Sequence, residues 1–234
     1  MKATKNYIGN KKINGFYHKI INEIPKHKAY YELFLGSGAI AKLLMEVCPK
    51  TWYSLNDKDW QVMSSFEFPS NIKIDKNGVS NIDAVSFLKL KEITTAGTDT
   101  FIFMDPPYLH STRNSPNLYK FEMSDKDHVQ LLKAVLQLKC NVMIVHPKCE
   151  LYDKLLSDWR KVQVKVRYHN KTSIECLYMN YEKPIELQTY KYLGTDCWDR
   201  QRIKRKRDSL IKKLLALPVQ ERNKIIQSVI EIAK

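Results

Sequence analysis

Four apolar residues in a row, Phe101-Ile102-Phe103-Met104, run straight into Asp105-Pro106-Pro107-Tyr108. A strand that is apolar at every position has both faces covered, which puts it inside a parallel sheet with a layer packed on each side. Pro106 and Pro107 lack the amide hydrogens that a ladder needs. The strand therefore stops at Asp105, and the chain leaves the sheet at its carboxyl edge.

The rest of the chain alternates strand-like runs with helical patterns, as parallel βαβ units do. Tyr30 to Leu35 reads as a first strand, turned by Gly36-Ser37-Gly38 into a helix with Ile40, Leu43, Leu44 and Val47 on one face. Thr51 to Leu55 is a second strand, ending at Asn56-Asp57, and 82–90 fits a third strand or a short helix equally well. Ser124-Asp125-Lys126-Asp127 is an acidic N-cap for a helix bearing Val129, Leu132, Val135 and Leu136. Asn141 to Val145 is a strand and Glu150 to Trp159 a helix. Val162 to Val166 and Ile174 to Tyr178 alternate across the polar link Asn170-Lys171-Thr172, a terminal hairpin. The expected fold class is thus α/β, a mostly parallel central sheet closed by an antiparallel hairpin, with helices on both faces.

The tetrapeptide also has chemistry to offer. An exocyclic base amine is a weak nucleophile because its lone pair is delocalised into the ring. Two hydrogen-bond acceptors aimed at its protons restore reactivity. Asp105 supplies one acceptor; the Pro106 carbonyl, its peptide fixed by Pro107, supplies the other; Tyr108 offers an aromatic face for the base. The plain alternative is a turn that ends a buried strand.

Two further signals belong to the same rim. Phe34-x-Gly36-x-Gly38 after a strand allows close backbone approach to a ligand, or is a tight turn with none. Asp57, 21 residues beyond Gly36, has the spacing of an acid that accepts ribose hydroxyls, or it is a turn residue. The glycine turn lacks the third glycine and the Lys-Ser/Thr of a phosphate loop, so a nucleoside without pyrophosphate fits better, and S-adenosylmethionine is one.

At this point the chain resembles the Dam-like, D12-class DNA adenine-N6 methyltransferases. The resemblance runs over roughly the first 180 residues, through Tyr7-Ile8-Gly9-Asn10-Lys11, Glu32 to Gly38, Asn56-Asp57 and Asp105 to Tyr108, in that family's order. It implies a Rossmann-like S-adenosylmethionine-dependent methyltransferase fold. By matching position, it also implies that Tyr7 and Lys11 contact the cofactor, that Glu32, Phe34, Gly36, Ser37 and Gly38 line its pockets, and that Asp57 holds the ribose. Asp105 then serves cofactor and target base together, and the base is flipped out of double-stranded DNA. Two departures stand out. Tyr7 and Asn10 replace the usual tryptophan and glycine. Only 47 residues separate Asp57 from Asp105, too few for the family's target-recognition insert. A short or relaxed recognition sequence follows.

Composition agrees with a polyanionic partner: 39 Lys+Arg against 25 Asp+Glu leave a net charge of +14 among 234 residues. Arg113 and Lys120 in the loop after the tetrapeptide, and Lys171 at the hairpin tip, are candidate DNA contacts. Half of the excess lies between Cys197 and Lys234, where Arg202, Lys204, Arg205, Lys206 and Arg207 precede an apolar stripe of Leu210, Ile211, Leu214 and Leu215. A catalytic domain over 1–183, a linker over 184–196 and a basic helical hairpin over 197–234, its apolar side packed away and its charged side on DNA, is the expected organisation. A solvated basic face on a docking helix is the alternative. Five scattered cysteines with no Cys-x-x-Cys pair point to reduced thiols and no metal. Nothing resembles a leader or a membrane span, so the expected location is the cytoplasm. Cytosine-N4 or RNA amino methylation, or a silent nucleic-acid-binding module, remain open alternatives, and a companion restriction endonuclease is not legible.

Overall fold

The computed structural model describes residues 15–113, 115, 118–168 and 171–232. Seven strands form one sheet in the order β3-β2-β1-β4-β5-β7-β6. They are β1 (Ala29–Glu32), β2 (Trp52–Asn56), β3 (Lys73–Ser80), β4 (Thr100–Met104), β5 (Asn141–Pro147), β6 (Arg160–Tyr168) and β7 (Lys171–Met179). The first five run parallel, and β7 pairs antiparallel with both β5 and β6. The all-apolar run occupies the centre: β4 lies between β1 and β5, and all five of its residues are buried.

Alternation along the strands divides the core into two faces. Tyr31, Ile102, Met104, Val142 and Ile144 pack with α4 (Ala84–Leu88), α5 (Lys91–Thr94), α6 (Asp125–Val135) and α7 (Glu150–Leu155) in one continuous apolar cluster. Tyr30, Phe101, Phe103, Met143 and Val145 point the other way and are also buried. That face meets α2 (Ala39–Val47), since the Ala41 amide donates to the buried Glu32 carboxylate. Full burial of a large apolar side chain stabilises by roughly 1.5–3 kcal/mol, so both faces contribute to holding β4 in the middle.

Local chemistry sets the helix boundaries. Ser124 caps α6, accepting from the Asp127 amide while the Asp127 side chain accepts from the Ser124 amide. Asp83 accepts two amides at the start of α4, which resolves 82–90 as helix; the third strand lies earlier, at Lys73–Ser80. The short α1 (Phe16–Ile21) and α3 (Trp60–Ser65) carry no long apolar period and are not predicted from sequence. Helix α7 stops at Leu155, four residues short of the expected end.

The chain divides between Lys191 and Tyr192 into two units. Residues 184–191 fall in the first unit. Gln188 donates to the Ile24 carbonyl and, through its side chain, to Thr51, and it accepts from the His27 amide at 2.9 Å, while Leu187 bridges Pro25. The second unit holds α8 (Cys197–Leu215), capped by Asp196, and α9 (Val219–Ile232). Within this unit the apolar side chains Leu210, Ile211, Leu215, Ile225, Val229 and Ile230 are exposed, while Ile203 and Leu214 are half-buried. Among the described residues, no helix is long and apolar enough to cross a membrane, and no cluster of three or more His, Cys, Asp or Glu side chains is arranged to hold a metal.

Candidate active site

The carboxyl ends of β1, β2 and β4 open onto one cavity of about 350 Å³. Glu32, Phe34, Gly36, Ser37, Asp57, Asp105, Pro107 and Tyr108 all line it. Three segments far apart in sequence thus meet at a single rim, because neighbouring parallel strands finish at the same level.

Gly36 and Gly38 adopt φ of 50° and 62°, the left-handed region where glycine carries no steric penalty. A Cβ on Gly38 would stand 2.4 Å from the Phe66 ring, so the turn into α2 tolerates no side chain there. Gly38 does not reach the cavity lining. Asp57 ties the turn to β2: one carboxylate oxygen accepts the Gly36 amide at 2.9 Å and the other accepts the Asp59 amide at 2.8 Å. Each oxygen keeps a second lone pair for a ligand. Asn56 stitches the rim together, donating to the Leu33 and Ile82 carbonyls and accepting from Ser80 and the Ile82 amide.

Burial sets the electrostatics. Glu32, inside the protein, accepts from the Tyr30 hydroxyl at 2.7 Å and the Ala41 amide at 3.1 Å, yet loss of water pushes its carboxyl up to about 8. The nearby Asp105 and Asp57 charges push it the same way. Asp57 is itself raised by burial. A protein with a large cationic excess thus carries an acidic cavity.

Asp105 and Tyr108 are half-buried, and Pro106 is buried between lining residues Asp105 and Pro107 in the chain. The Tyr108 hydroxyl donates to Glu175 at 2.9 Å, and its ring meets the His146 ring edge-on at 5.3 Å. His146 accepts the Leu109 amide at Nε2, leaves Nδ1 to donate to the Pro147 carbonyl at 2.8 Å, and stacks on Tyr152 at 4.0 Å. The segment leaving the tetrapeptide is thereby clamped by side chains of β5 and β7. Sequence reasoning missed both partners: Glu175 lies 67 residues from Tyr108, and only the antiparallel pairing of β7 with β5 brings them together.

The loop after the tetrapeptide differs from its sequence reading. Arg113, expected on phosphates, is buried at 5% side-chain exposure and forms a fork-to-fork pair with Glu122. Glu122 also accepts the Leu118 and Tyr119 amides at 2.8 and 2.9 Å, and the Arg113 guanidinium pulls its carboxyl down to about 2. Lys120 reaches Asp59 at 2.9 Å and Gln61 at 3.1 Å. Arg202 and Arg207, also expected on DNA, pair with Asp199 and Asp208, whereas Lys204, Arg205 and Lys206 are exposed with no ion pair among the described residues. Tyr7 and Lys11 lie outside the described residues, as does the side chain of Lys171.

The sheet order with its antiparallel last hairpin is that of the Rossmann-like methyltransferase fold. Residues 65–174 match the model of a family described as D12 class N6 adenine-specific DNA methyltransferase. That stretch contains the tetrapeptide and begins after the glycine turn and Asp57. Among curated proteins, none matches the sequence. Similar solved structures include M. capricolum TrmK in complex with S-adenosyl-homocysteine, at 12% identity over 93% of this chain and 94% of that one, with a TM-score of 0.46. Human methyltransferase-like protein 13 in complex with the same compound shows 15% identity, coverage of 81% and 85%, and a TM-score of 0.43. Human N-acetylserotonin methyltransferase in complex with SAM shows 15% identity, coverage of 74% and 53%, and a TM-score of 0.42.

Proposed function

We propose that the chain is an S-adenosylmethionine-dependent DNA methyltransferase acting on adenine N6. The observation that carries this reading is the meeting of Gly36, Asp57 and Asp105 in one cavity beside Tyr108. The cavity suits the cofactor on three counts. Its volume falls in the range of small-molecule sites. Leu33, Leu35, Ile40, Ile82 and Val85 give it apolar walls for an adenine ring. Asp57 and Asp105 give it acidic side chains for a ligand bearing a sulfonium and an ammonium group, and Glu32, protonated up to about pH 8 without such a ligand, adds a third carboxyl that the ligand would ionise.

When bound, S-adenosylmethionine supplies an electrophilic methyl group. The remaining work falls to the chain's own residues. Asp57 accepts from the ribose hydroxyls, and Glu32 faces the cationic end. Gly36 and Ser37 allow close backbone approach at the start of α2, as Gly38 does for the turn itself. Tyr7 and Lys11 join them from the N-terminal segment. On the acceptor side, Asp105 takes a hydrogen bond from the amine and then its proton, while the Pro106 carbonyl holds the second N–H. Tyr108, held by Glu175 and His146, stacks on a base flipped out of the duplex. Pro107 keeps the corner rigid.

The preference for adenine and for DNA is supported by the family match over 65–174. Residues 1–183 act as the catalytic domain, and the basic second unit holds the duplex through Lys204, Arg205 and Lys206, backed by the partly neutralised Arg202 and Arg207. The absence of a recognition insert implies a short or relaxed target. The test is incubation with methyl-labelled cofactor and unmethylated duplex DNA, followed by nucleoside analysis. Label in N6-methyladenine is expected. Label only in N4-methylcytosine or only in added RNA would replace the acceptor, and no label in any nucleic acid would defeat the reading.

A further inference from the structure

Large aromatic side chains left in water beside a base-sized cavity need an explanation, and this one has Phe121 in its lining and Trp60 next in the chain to the lining residue Asp59. Phe121 lines the cavity and is 38% exposed. Trp60 is 62% exposed and is the first residue of α3, between Asp59 and Gln61, the two residues that Lys120 holds. Two ammonium groups stand over the Phe121 ring, Lys120 at 5.4 Å and Lys58 at 5.9 Å from its centre. Lys58 makes no ion pair with a described residue and, like Asp59, lines the cavity. The Asp59 carboxylate is answered by Lys120.

We infer that Trp60 and Phe121, with Lys58 and Lys120, form a stacking rim for the DNA nucleotide adjacent to the one that enters the cavity. The inference rests on the reading of the cavity as a base-methylating site. Drawing one nucleotide out of a duplex strips its neighbours of a stacking partner, and a protein aromatic face replaces it with little regard to base identity. Lysines beside such faces meet the phosphates that come with the bases. A protein partner fits less well, because interface cores select aromatic anchors but are depleted in lysine. Two stretches build the rim: Lys58 and Trp60 follow directly on Asp57, and Lys120 and Phe121 lie in the loop after the tetrapeptide. A rim of this kind is tolerant of sequence, in keeping with a relaxed target.

The experiment uses the full chain, a fluorescein-labelled single-stranded 12-mer of thymidines with one central adenosine, and the same oligomer as RNA. Trp60→Ala should raise the dissociation constant for the DNA about tenfold, and Phe121→Ala by a similar factor. Trp60→Phe, made in a Trp198→Phe background so that the exposed indole at the start of α8 is silent, should keep affinity within about twofold of its parent while losing most of the DNA-induced quenching of tryptophan fluorescence. Trp52→Ala, exposed away from the cavity lining, is the control and should bind DNA normally. Cofactor affinity should be unchanged in Trp60→Ala. Wild-type affinity in both alanine variants, or quenching that persists in Trp60→Phe, overturns the rim. An effect on RNA with none on DNA overturns it equally. Impaired binding in a protein that makes no N6-methyladenine would sink the proposed reaction and spare the rim; normal methylation with unimpaired binding would do the reverse.

Discussion

The two units handle positive charge in opposite ways. In the first, several cations near the sheet have an acid beside them: Arg113 has Glu122, Arg160 has Glu23, Lys161 has Asp153 and Lys120 has Asp59, while Lys58 has none among the described residues. In the second, α8 carries eight Lys/Arg against two Asp, and Lys204, Arg205 and Lys206 follow one another with no ion pair among the described residues. Matched cations organise a fold, because a charge leaving water needs a partner. Unmatched, exposed cations repel one another and are tolerated only in solvent or against a polyanion. Acidic character is divided the same way, with Glu32, Asp57 and Asp105 gathered in the cavity of the first unit.

The contrast can be attacked from both sides. Asp105→Ala should lower methyl transfer by about 10³-fold, as loss of a preorganised acceptor does, while DNA affinity measured by fluorescence anisotropy stays within about twofold. Replacing Lys204, Arg205 and Lys206 together by Ala should do the opposite. Cofactor binding is untouched, and the slope of log affinity against log salt shrinks by about 2 to 3, roughly 0.9 for each phosphate left without its cation. The matched Lys161→Ala should leave that slope unaltered; an equal change there would erase the distinction between the units.

Arg113→Ala tests the structural side. It strands Glu122 and the loop amides, and should cost about 2–3 kcal/mol, below the figure for breaking a fully buried pair because Glu122 remains partly open to solvent. Urea denaturation reads the loss. The paired Glu122 has its pKa depressed, so its contribution is complete above the ordinary glutamate value and is lost as pH falls toward about 2.

Glu32 has the opposite sign. Its pKa in the folded state is raised to about 8, so the folded protein holds a proton that the unfolded chain has released between roughly pH 4.5 and 8. Stability from this group therefore declines as pH rises through that window. Without cofactor, the melting temperature of the wild type should fall by several degrees relative to Glu32→Gln between about pH 5 and about pH 9. Parallel curves would show that Glu32 does not titrate there.

Much of the first unit is legible in one dimension. The β4 run and its diproline stop, the glycine turn, the capping box at Ser124 and the alternating β6–β7 pattern are local signals, each read within a few residues. The meeting of Gly36, Asp57 and Asp105 is legible too, because parallel strands joined by helices must end at one rim. The rest depends on distance. Arg113 reads as a phosphate ligand until Glu122 is seen across the loop. Glu175 and His146 have no motif, and α3 is too short to carry a period. The stripe of α8 and α9 has helical spacing, and spacing does not say whether anything covers it.

Order along the chain, set by strand periodicity and by the refusal of proline to continue a ladder, determined the sheet, its direction and the rim where the acids and glycines gather. Folding in three dimensions decided which charges were answered: Arg113 was withdrawn from solvent by a glutamate, Tyr108 was clamped from a strand 67 residues away, and Lys204 to Lys206 were left exposed. The physical reason is that backbone geometry is dictated by near neighbours, whereas desolvation and pairing are settled by whichever side chains close packing delivers to the same place.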